Sequence, residues 1–108
     1  MVRVYIASPF TIGDQELNVM RSMEYYDRLM EEGFLPFSPL GHTYISFYEG
    51  DYEEWMKVGF EWLKVCHALL RLKGESPGAD REVECARDNG IPVFYTIEQL
   101  KEYYHDSA

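Results

Sequence analysis

The chain has few of the residues that mark several common protein classes. Only two of its 108 residues are cysteines, Cys66 and Cys85, so we expect no disulfide and interpret both as buried, inert thiols. No apolar run approaches the ~20 residues of a membrane span. Basic residues are scarce, with 10 against 19 acidic residues and a net charge of −9. We therefore expect no nucleic-acid or membrane partner and, with no signal peptide visible, a cytoplasmic protein.

Motifs for cofactors and metals are also lacking. No G-x-G-x-x-G follows the first predicted strand, and there is no P-loop lysine, which argues against dinucleotide and nucleoside triphosphate binding. The three histidines and two cysteines show no metal-ligand spacing. No Ser-His-Asp order or nucleophile elbow is present. We expect neither cofactor nor metal, and a carboxylate is the nucleophile that remains to be considered.

What the chain does contain is a regular alternation of strands and helices. Hydrophobic residues make up 46% and aromatic residues 16%, enough for one folded domain over residues 1–108. The patterns predict strands at 2–7, 34–38, 67–72 and 92–96, and helices at 15–32, 51–65, 77–90 and 97–105. This order predicts an α/β fold, a three-layer Rossmann- or flavodoxin-like sandwich with a parallel sheet of four to five strands.

Two helices carry apolar residues at helical spacing. On the first helix the stripe consists of Val19, Met23, Tyr26 and Met30. On the second, one face holds Trp55, Val58, Trp62 and Val65. Gly59 lies in the middle of this second helix, where it either permits close packing or leaves room for a ligand.

Three loops should meet at the carboxyl ends of the strands, where ligands bind in such folds. They are residues 8–14, 38–48 and 73–80. The middle loop is rich in aromatic residues and contains His42. It fits a second small core, an oligomer contact, or a wall on which a flat ligand stacks.

The helix after the third loop has a strong start signal. Ser76 is a natural N-cap, Pro77 suits the first helical position, and Gly90 is a natural stop. Glu82 flanks the buried stripe of this helix near the predicted crevice, and we expect the helix N-terminus to keep it ionised. The hydroxyl and free N–H groups of the first turn suit an anion such as phosphate. A well-capped helix with surplus acidic residues remains the alternative interpretation.

Several motifs together resemble the nucleoside 2-deoxyribosyltransferase-like superfamily, and in particular its small DUF4406-type branch. They are Tyr5-Ile6-Ala7-Ser8-Pro9-Phe10, Asn18 with Arg21, Pro36-Phe37-Ser38-Pro39, the helix 55–63, and the segment from Leu70 through Gly74-Glu75-Ser76 to Val83. The match covers nearly the whole chain, and the last segment is its most specific part.

The resemblance implies roles for individual residues. Glu82 matches the glutamate that attacks the anomeric carbon, Tyr5 matches a residue that positions substrate, and Ser76 matches a serine that contacts the 5′-phosphate in related nucleotide N-hydrolases. Relatives usually carry an aspartate at the positions of Gly59 and His67. Further candidate substrate-binding residues are Ser8, Pro9, Phe10, Asn18, Arg21, Ser38, His42, Gly78 and Asp80.

The leading hypothesis is therefore an N-glycosidic-bond enzyme acting on a nucleoside or nucleoside monophosphate, either a hydrolase or a 2-deoxyribosyltransferase. Relatives complete their sites across a subunit contact, so the resemblance also implies a homo-oligomer. The alternative is a nucleotide-binding or sensing module that has lost catalysis. A structural oligomer without a small ligand is the third hypothesis.

Overall fold

A computed structural model describes residues 1–40 and 52–105 of the chain. Strands and helices alternate in these ranges, as the sequence predicts, with their ends shifted by a few residues. The elements are β1 (Arg3–Ala7), α1 (Gln15–Glu31), β2 (Leu35–Phe37), α2 (Tyr52–Lys64), β3 (Ala68–Arg71), α3 (Pro77–Asp88), β4 (Val93–Phe94) and α4 (Ile97–His105). Most of the predicted aromatic loop, including His42, lies outside the described residues.

The four strands form one parallel sheet in the order β2-β1-β3-β4. Tyr5 pairs in register with Phe37 on one side and with Leu69 on the other. The chain runs outward from β1 to β2 and then crosses back to β3, so the order reverses between β1 and β3. Ligands bind in the crevice at such a switch point, outside the carboxyl ends of the strands.

Alternating side chains on the strands build a core on each face of the sheet. On one face, Val4 and Ile6 of β1 pack with buried residues of α1 and α4, including Leu29 and Leu100. On the other face, Tyr5 and Ala7 pack with residues of α2 and α3, namely Leu63, Ala79, Val83 and Ala86. The helices thus cover both faces of the sheet, which confirms the predicted three-layer α/β fold.

The predicted helix caps are present. The Asp14 carboxylate accepts a hydrogen bond from the Leu17 N–H at 3.1 Å, and the Ser76 hydroxyl accepts one from the Ala79 N–H at 3.0 Å. Pro77 occupies the first turn of α3. Gly90, just beyond that helix, has φ +70°, a conformation that favours glycine.

The apolar stripe of α1 coincides only in part with the buried side of the helix, because Tyr26 packs against the core but Met30 does not. The buried residues of α1 are Asn18, Ser22 and Leu29, whereas Met30 is exposed. Two of these buried residues are polar, so a search for apolar periodicity does not identify the buried side of this helix. Both polar side chains are hydrogen-bonded, as buried polar groups require.

The apolar stripe of α2 does not pack into the core either. Val58, Trp62 and Val65 are each about half exposed, while Gly59 and Leu63 are the buried residues of this helix. The stripe therefore belongs to the surface. Within residues 1–40 and 52–105, no helix is both long and apolar enough to span a membrane.

Candidate active site

An open cavity of about 480 Å³ lies beside the carboxyl end of β1, between α2 and the N-terminus of α3. Its volume is in the range of small-ligand sites. The described residues that line it are Tyr5, Ser8, Phe10, Thr11, Phe37, Pro39, Leu40, Tyr52, Trp55, Met56, Val58, Gly59, Trp62, Ser76, Gly78, Ala79 and Glu82.

A hydrogen-bonded pair, Tyr5 and Glu82, forms the floor of this cavity. Tyr5 is fully buried on β1, and Glu82, in the second turn of α3, is 7% exposed. The Tyr5 hydroxyl donates a short hydrogen bond to Oε2 of Glu82. The pair therefore joins the central strand to α3 and fixes the carboxylate at the cavity wall.

Gly59 of α2 packs directly against this pair. A Cβ atom at position 59 would lie 2.8 Å from the Tyr5 hydroxyl oxygen and 3.8 Å from Oε2 of Glu82. The first distance is too short for any real side chain. The phenol of Tyr5 therefore occupies the space that a side chain on α2 would otherwise fill, and the absence of that side chain is a condition of the Tyr5–Glu82 pair.

Burial raises the pKa of the Glu82 carboxyl to about 7, even though the hydrogen bond from Tyr5 and the charge of Arg71 both lower it. The expectation that the helix N-terminus keeps Glu82 ionised is therefore wrong. The helix field acts mainly within the first turn, whereas Glu82 lies one turn further in and is almost completely desolvated. The pKa of the Tyr5 phenol is raised strongly, first by burial and then by Glu82, so Tyr5 stays a proton donor to the carboxylate.

Aromatic rings form one wall of the cavity. The ring of Phe37 lies 5.6 Å from that of Tyr5 and 5.2 Å from that of Trp62, centroid to centroid, with the second pair stacked at 24°. Trp55 and Phe10 also line the cavity. A flat ligand ring can therefore lie against aromatic side chains close to the Glu82 carboxylate.

The N-terminus of α3 forms another part of the cavity wall. Ser76, its N-cap, is buried, and Gly78 lies in the first turn. A Cβ atom at position 78 would lie 2.8 Å from the Tyr52 hydroxyl oxygen, so glycine lets the start of α2 approach this turn. Arg81 reinforces the contact by donating to both carboxylate oxygens of Glu53, at 2.8 and 3.0 Å.

A buried arginine holds the loop between β3 and α3 in place. Arg71 donates to the carbonyl oxygens of Leu72 and Gly74 and, at 3.0 Å, to Oδ1 of Asp80. Arg71 and Asp80 line a second depression, which shares no described lining residue with the Glu82 cavity. The hydrogen bonds of Arg71 therefore hold the loop that presents Ser76.

Comparisons with known proteins place the chain in a family. A family described as a domain of unknown function, DUF7768, matches residues 2–96. The chain belongs to this DUF7768 family. Its structure is similar to that of a 2-deoxyribosyltransferase from the psychrotolerant bacterium Bacillus psychrosaccharolyticus, with a TM-score of 0.69 and 22% sequence identity over 85% of this chain and 69% of that chain. This likeness confirms the predicted deoxyribosyltransferase-like fold. No curated protein matches the sequence.

In this DUF7768 chain, half of the twelve site residues predicted from the sequence line one cavity. They are Tyr5, Ser8, Phe10, Ser76, Gly78 and Glu82. His42 lies outside the described residues. The remaining five do not line the cavity. They are Pro9, Asn18, Arg21, Ser38 and Asp80.

These five residues support the site from outside or lie apart from it. The side-chain amide of Asn18 donates to the Phe10 and Ile12 carbonyl oxygens at 3.1 and 3.0 Å, which shapes the loop after β1. Ser38 shares a short hydrogen bond with Ser22. Pro9 packs on Gly74, and Arg21 is exposed on α1. Direct contact of these residues with substrate stays a prediction.

Cys66, His67 and Cys85 do not line the cavity, although both thiols are close enough to Tyr5 to help raise the pKa of its phenol. His67 precedes β3 at its amino end, where its Nδ1 accepts a hydrogen bond from the Arg3 N–H at 2.9 Å. Burial raises the thiol pKa of both Cys66 and Cys85. Among residues 1–40 and 52–105, no cluster of three histidine, cysteine or acidic side chains is arranged to hold a metal ion.

Sequence reasoning missed most of the α2 side of the site. Trp55, Met56, Val58 and Trp62 line the cavity, as does Tyr52 at the start of the helix. A signal was present, because an aromatic stripe on a helix with a glycine in its middle fits a ligand wall as well as a core face. Only the packing of α2 against β1 and α3 shows that this stripe is a cavity wall and not a core face.

Proposed function

We propose that this protein is an N-glycosidic-bond enzyme that acts on a nucleoside or nucleoside monophosphate. The observation that carries the proposal is the Tyr5–Glu82 pair at the floor of an open, aromatic-lined cavity. The cavity lies at the carboxyl ends of a parallel sheet, in a fold similar to that of a 2-deoxyribosyltransferase. The reaction is hydrolysis or transfer of the sugar to a second base.

In the proposed reaction Glu82 is the nucleophile. Its carboxylate attacks C1′ of the sugar while the bond to the base breaks, through a transition state with oxocarbenium character. A covalent glycosyl ester on Glu82 results, and water or a second base then takes the sugar. Tyr5 donates to Oε2, so it orients the carboxylate and directs Oε1 toward the reaction.

The two sides of the cavity suit the two parts of such a substrate. The rings of Phe37 and Trp62 provide a stacking surface for the base. The N-terminus of α3 offers the Ser76 hydroxyl and backbone N–H groups to a sugar hydroxyl or a 5′-phosphate. This placement is consistent with the narrower relationship to nucleotide N-hydrolases that the sequence motifs suggest.

The proposal includes a homo-oligomer built on the exposed stripe of α2. Val58, Trp62 and Val65 are 51%, 51% and 52% exposed, which is unusual for large apolar residues on one helix face. Together with Trp55 they are spaced by three, four and three residues. This spacing reads the same in both directions, so two copies of α2 can pair antiparallel about a two-fold axis. Such pairing would cover the rim of the cavity.

Base release from a panel of substrates tests the activity. Ribo- and deoxyribonucleosides and their 5′-monophosphates are incubated with the protein, and free base is measured by chromatography. We expect release from at least one substrate, with Glu82→Gln inactive and Glu84→Gln unchanged, since Glu84 is an exposed neighbour on the same helix. The proposal fails if no substrate gives free base or if Glu82→Gln is as active as the wild type.

The oligomer is tested separately by sedimentation. Val58→Glu and Val65→Glu place charges in the stripe and should give a smaller species than the wild type. Glu98→Lys, an exposed change on α4, which covers the other face of the sheet, should leave the size unchanged. A wild-type monomer would contradict this part of the proposal.

One observation favours a second candidate, a nucleotide-binding module without catalysis. Gly59 stands where the family resemblance implies a carboxylate, and the Tyr5 hydroxyl fills the space of its side chain. A site of this kind can hold a nucleotide and lack a group that the reaction needs. Binding of a nucleotide measured by calorimetry, together with no base release over hours, would support this candidate against the enzyme.

A further inference from the structure

We infer that the substrate's departing ring carries a positive charge, as in an N-ribosylpyridinium or an N7-alkylated purine nucleoside. The inference rests on the proposed function, because it names the substrate class of that reaction. Two features of the cavity lead to it independently. One is the set of groups that would surround the ring, and the other is how the ring leaves.

The cavity has the composition of a receptor for an organic cation. Among the described residues that line it, several are aromatic and one, Glu82, carries a carboxylate. The faces of aromatic rings attract cations, most strongly those of tryptophan, and clusters of such rings recognise quaternary nitrogen. The stacked pair of Phe37 and Trp62 can take a flat cationic ring on its face while Glu82 supplies the opposite charge.

Among the described residues that line the cavity, none is lysine, arginine or histidine, so none of them places a cationic side chain beside the Glu82 carboxylate. Of the residues that the structure describes, Arg71 is the cation that lowers the pKa of Glu82, and its guanidinium is engaged with two carbonyl oxygens and Asp80. A cationic ring would stabilise the ionised, nucleophilic carboxylate, whereas a neutral ring would desolvate it further and favour its protonated form.

The departure of the ring gives the second argument. A neutral base needs a proton on its ring nitrogen when the C1′–N bond breaks. Gly59 brings no acid to this part of the wall, and the Tyr5 hydroxyl beside it is a poor acid that already donates to Glu82. A cationic ring needs no proton, because it already carries the charge that the bonding electrons neutralise.

The electron count of this step is simple. One oxygen of the Glu82 carboxylate forms a bond to C1′ as the C1′–N bond breaks, and both electrons of that bond go to the ring nitrogen. The ring leaves as a neutral molecule and the sugar remains as an ester on Glu82. Water then attacks C1′, the ester bond breaks, and the sugar, the carboxylate and one proton are released.

Matched substrate pairs that differ by one positive charge test the inference. 7-Methylguanosine is compared with guanosine, and 3-carbamoylpyridinium riboside with its neutral 1,4-dihydropyridine form, each with ribose and 2-deoxyribose. Release of the ring is measured against a blank without enzyme. Binding to the wild type, Glu82→Gln and Glu84→Gln is measured by calorimetry with the same compounds.

We expect kcat/KM for the cationic member of a pair to exceed that for the neutral member by at least about tenfold. Binding of the cation should weaken by about tenfold or more in Glu82→Gln, while neutral binding and the Glu84→Gln control stay unchanged. Trp62→Leu should reduce the preference for the cation. These results together would support a cation-selective site.

The contrary outcomes separate the inference from the proposed function. Cleavage of the neutral members as fast as the cationic ones would overturn the inference and leave the N-glycosidic activity standing. If no ring is released, binding decides. If the cation then binds at least about tenfold more tightly than the neutral compound, and this preference depends on Glu82, the cationic ligand class stands and the enzymatic activity is refuted. Equal binding, or none, would overturn the inference as well.

Discussion

Gly59 and Tyr5 lie so close together that position 59 has no room for a side chain while the Tyr5 hydroxyl is in place. The hydroxyl oxygen of Tyr5 would be 2.8 Å from a Cβ atom at position 59, below the distance that a real side chain shows. Tyr5 is fully buried, and its ring packs beside that of Phe37. Its hydroxyl therefore has little freedom to move away, and Gly59 is what allows it to reach Glu82.

Gly59→Ala should reduce base release more than it reduces stability. The methyl group displaces the Tyr5 hydroxyl and with it the Glu82 carboxylate, and a shift of about 1 Å at a reacting group can cost about 100-fold in rate. The better helix propensity of alanine, about 1 kcal/mol, offsets part of the steric cost. We therefore expect kcat to fall by at least about tenfold and the unfolding midpoint to change by only a few degrees.

The control for this prediction is Lys57→Ala, an exposed change on the same helix. It should leave both activity and the unfolding midpoint as in the wild type. Gly59→Asp places a carboxylate where the family resemblance implies one, but its Cβ meets the same contact, so it should be no more active than Gly59→Ala. Full activity in Gly59→Ala would show that the contact with Tyr5 has no functional role.

Tyr5→Phe should move the pH dependence of the reaction upward. The hydrogen bond from Tyr5 lowers the pKa of Glu82, which is about 7 with that bond in place. Removing the hydroxyl therefore raises the pKa, and less of the carboxylate is ionised at neutral pH. The rising limb of kcat/KM should shift to higher pH, and activity should partly recover at alkaline pH. Tyr95→Phe, which changes an exposed tyrosine, is the control, and an unshifted limb in Tyr5→Phe would contradict the prediction.

Glu82 should make the folded protein less stable as the pH rises. Its folded pKa of about 7 lies above the ordinary value of 4.5, so the folded state binds more protons between these values. The free energy of unfolding therefore falls from about pH 4.5 to about pH 7. The two pKa values differ by about 2.5, which at about 1.4 kcal/mol for each pKa step amounts to about 3 kcal/mol.

The measurement is urea unfolding of the wild type and Glu82→Gln across this pH range. Glutamine does not titrate and keeps an oxygen that accepts from Tyr5, so the variant should be about as stable as the wild type at low pH and more stable above pH 7. Glu84→Gln should follow the wild type. A Glu82→Gln protein that loses stability in parallel with the wild type would show that another group causes the change.

The fold could be predicted because its signals are local. Alternating short apolar runs and helical periods determine the order of elements, and single residues such as Asp14, Ser76 and Gly90 mark where helices begin and end. The packed face of α1 could not be predicted, since Asn18 and Ser22 are buried through hydrogen bonds that no apolar pattern records. Polar residues become core residues only when the loops that satisfy them are in place.

In the candidate site, too, residues marked by local signals could be predicted and contacts made by tertiary packing could not. Glu82 and Ser76 could be predicted from one capped helix that follows a central strand. The wall of Phe37 and Trp62 could not, because it forms only when β2 and α2 meet across the sheet. The helix N-terminus, which is visible in the sequence, predicts a lowered pKa for Glu82, whereas burial, which is not visible there, raises it. Tertiary packing therefore determines the chemistry of residues that the sequence can locate.

Ser76 gives a prediction that separates its role as a helix cap from a contact with phosphate. Ser76→Ala removes both, and the lost cap should cost about 0.5–2 kcal/mol of stability, whereas Ser76→Gly removes the hydroxyl but costs only a few tenths. If the hydroxyl contacts a 5′-phosphate, Ser76→Gly should weaken binding of a nucleoside monophosphate by about tenfold and leave the nucleoside unaffected. Calorimetry with the two ligands, beside urea unfolding, provides both readouts. Equal losses for nucleoside and monophosphate, or none, would leave Ser76 only its hydrogen bond to the Ala79 N–H, because a group that meets the phosphate must distinguish the two ligands.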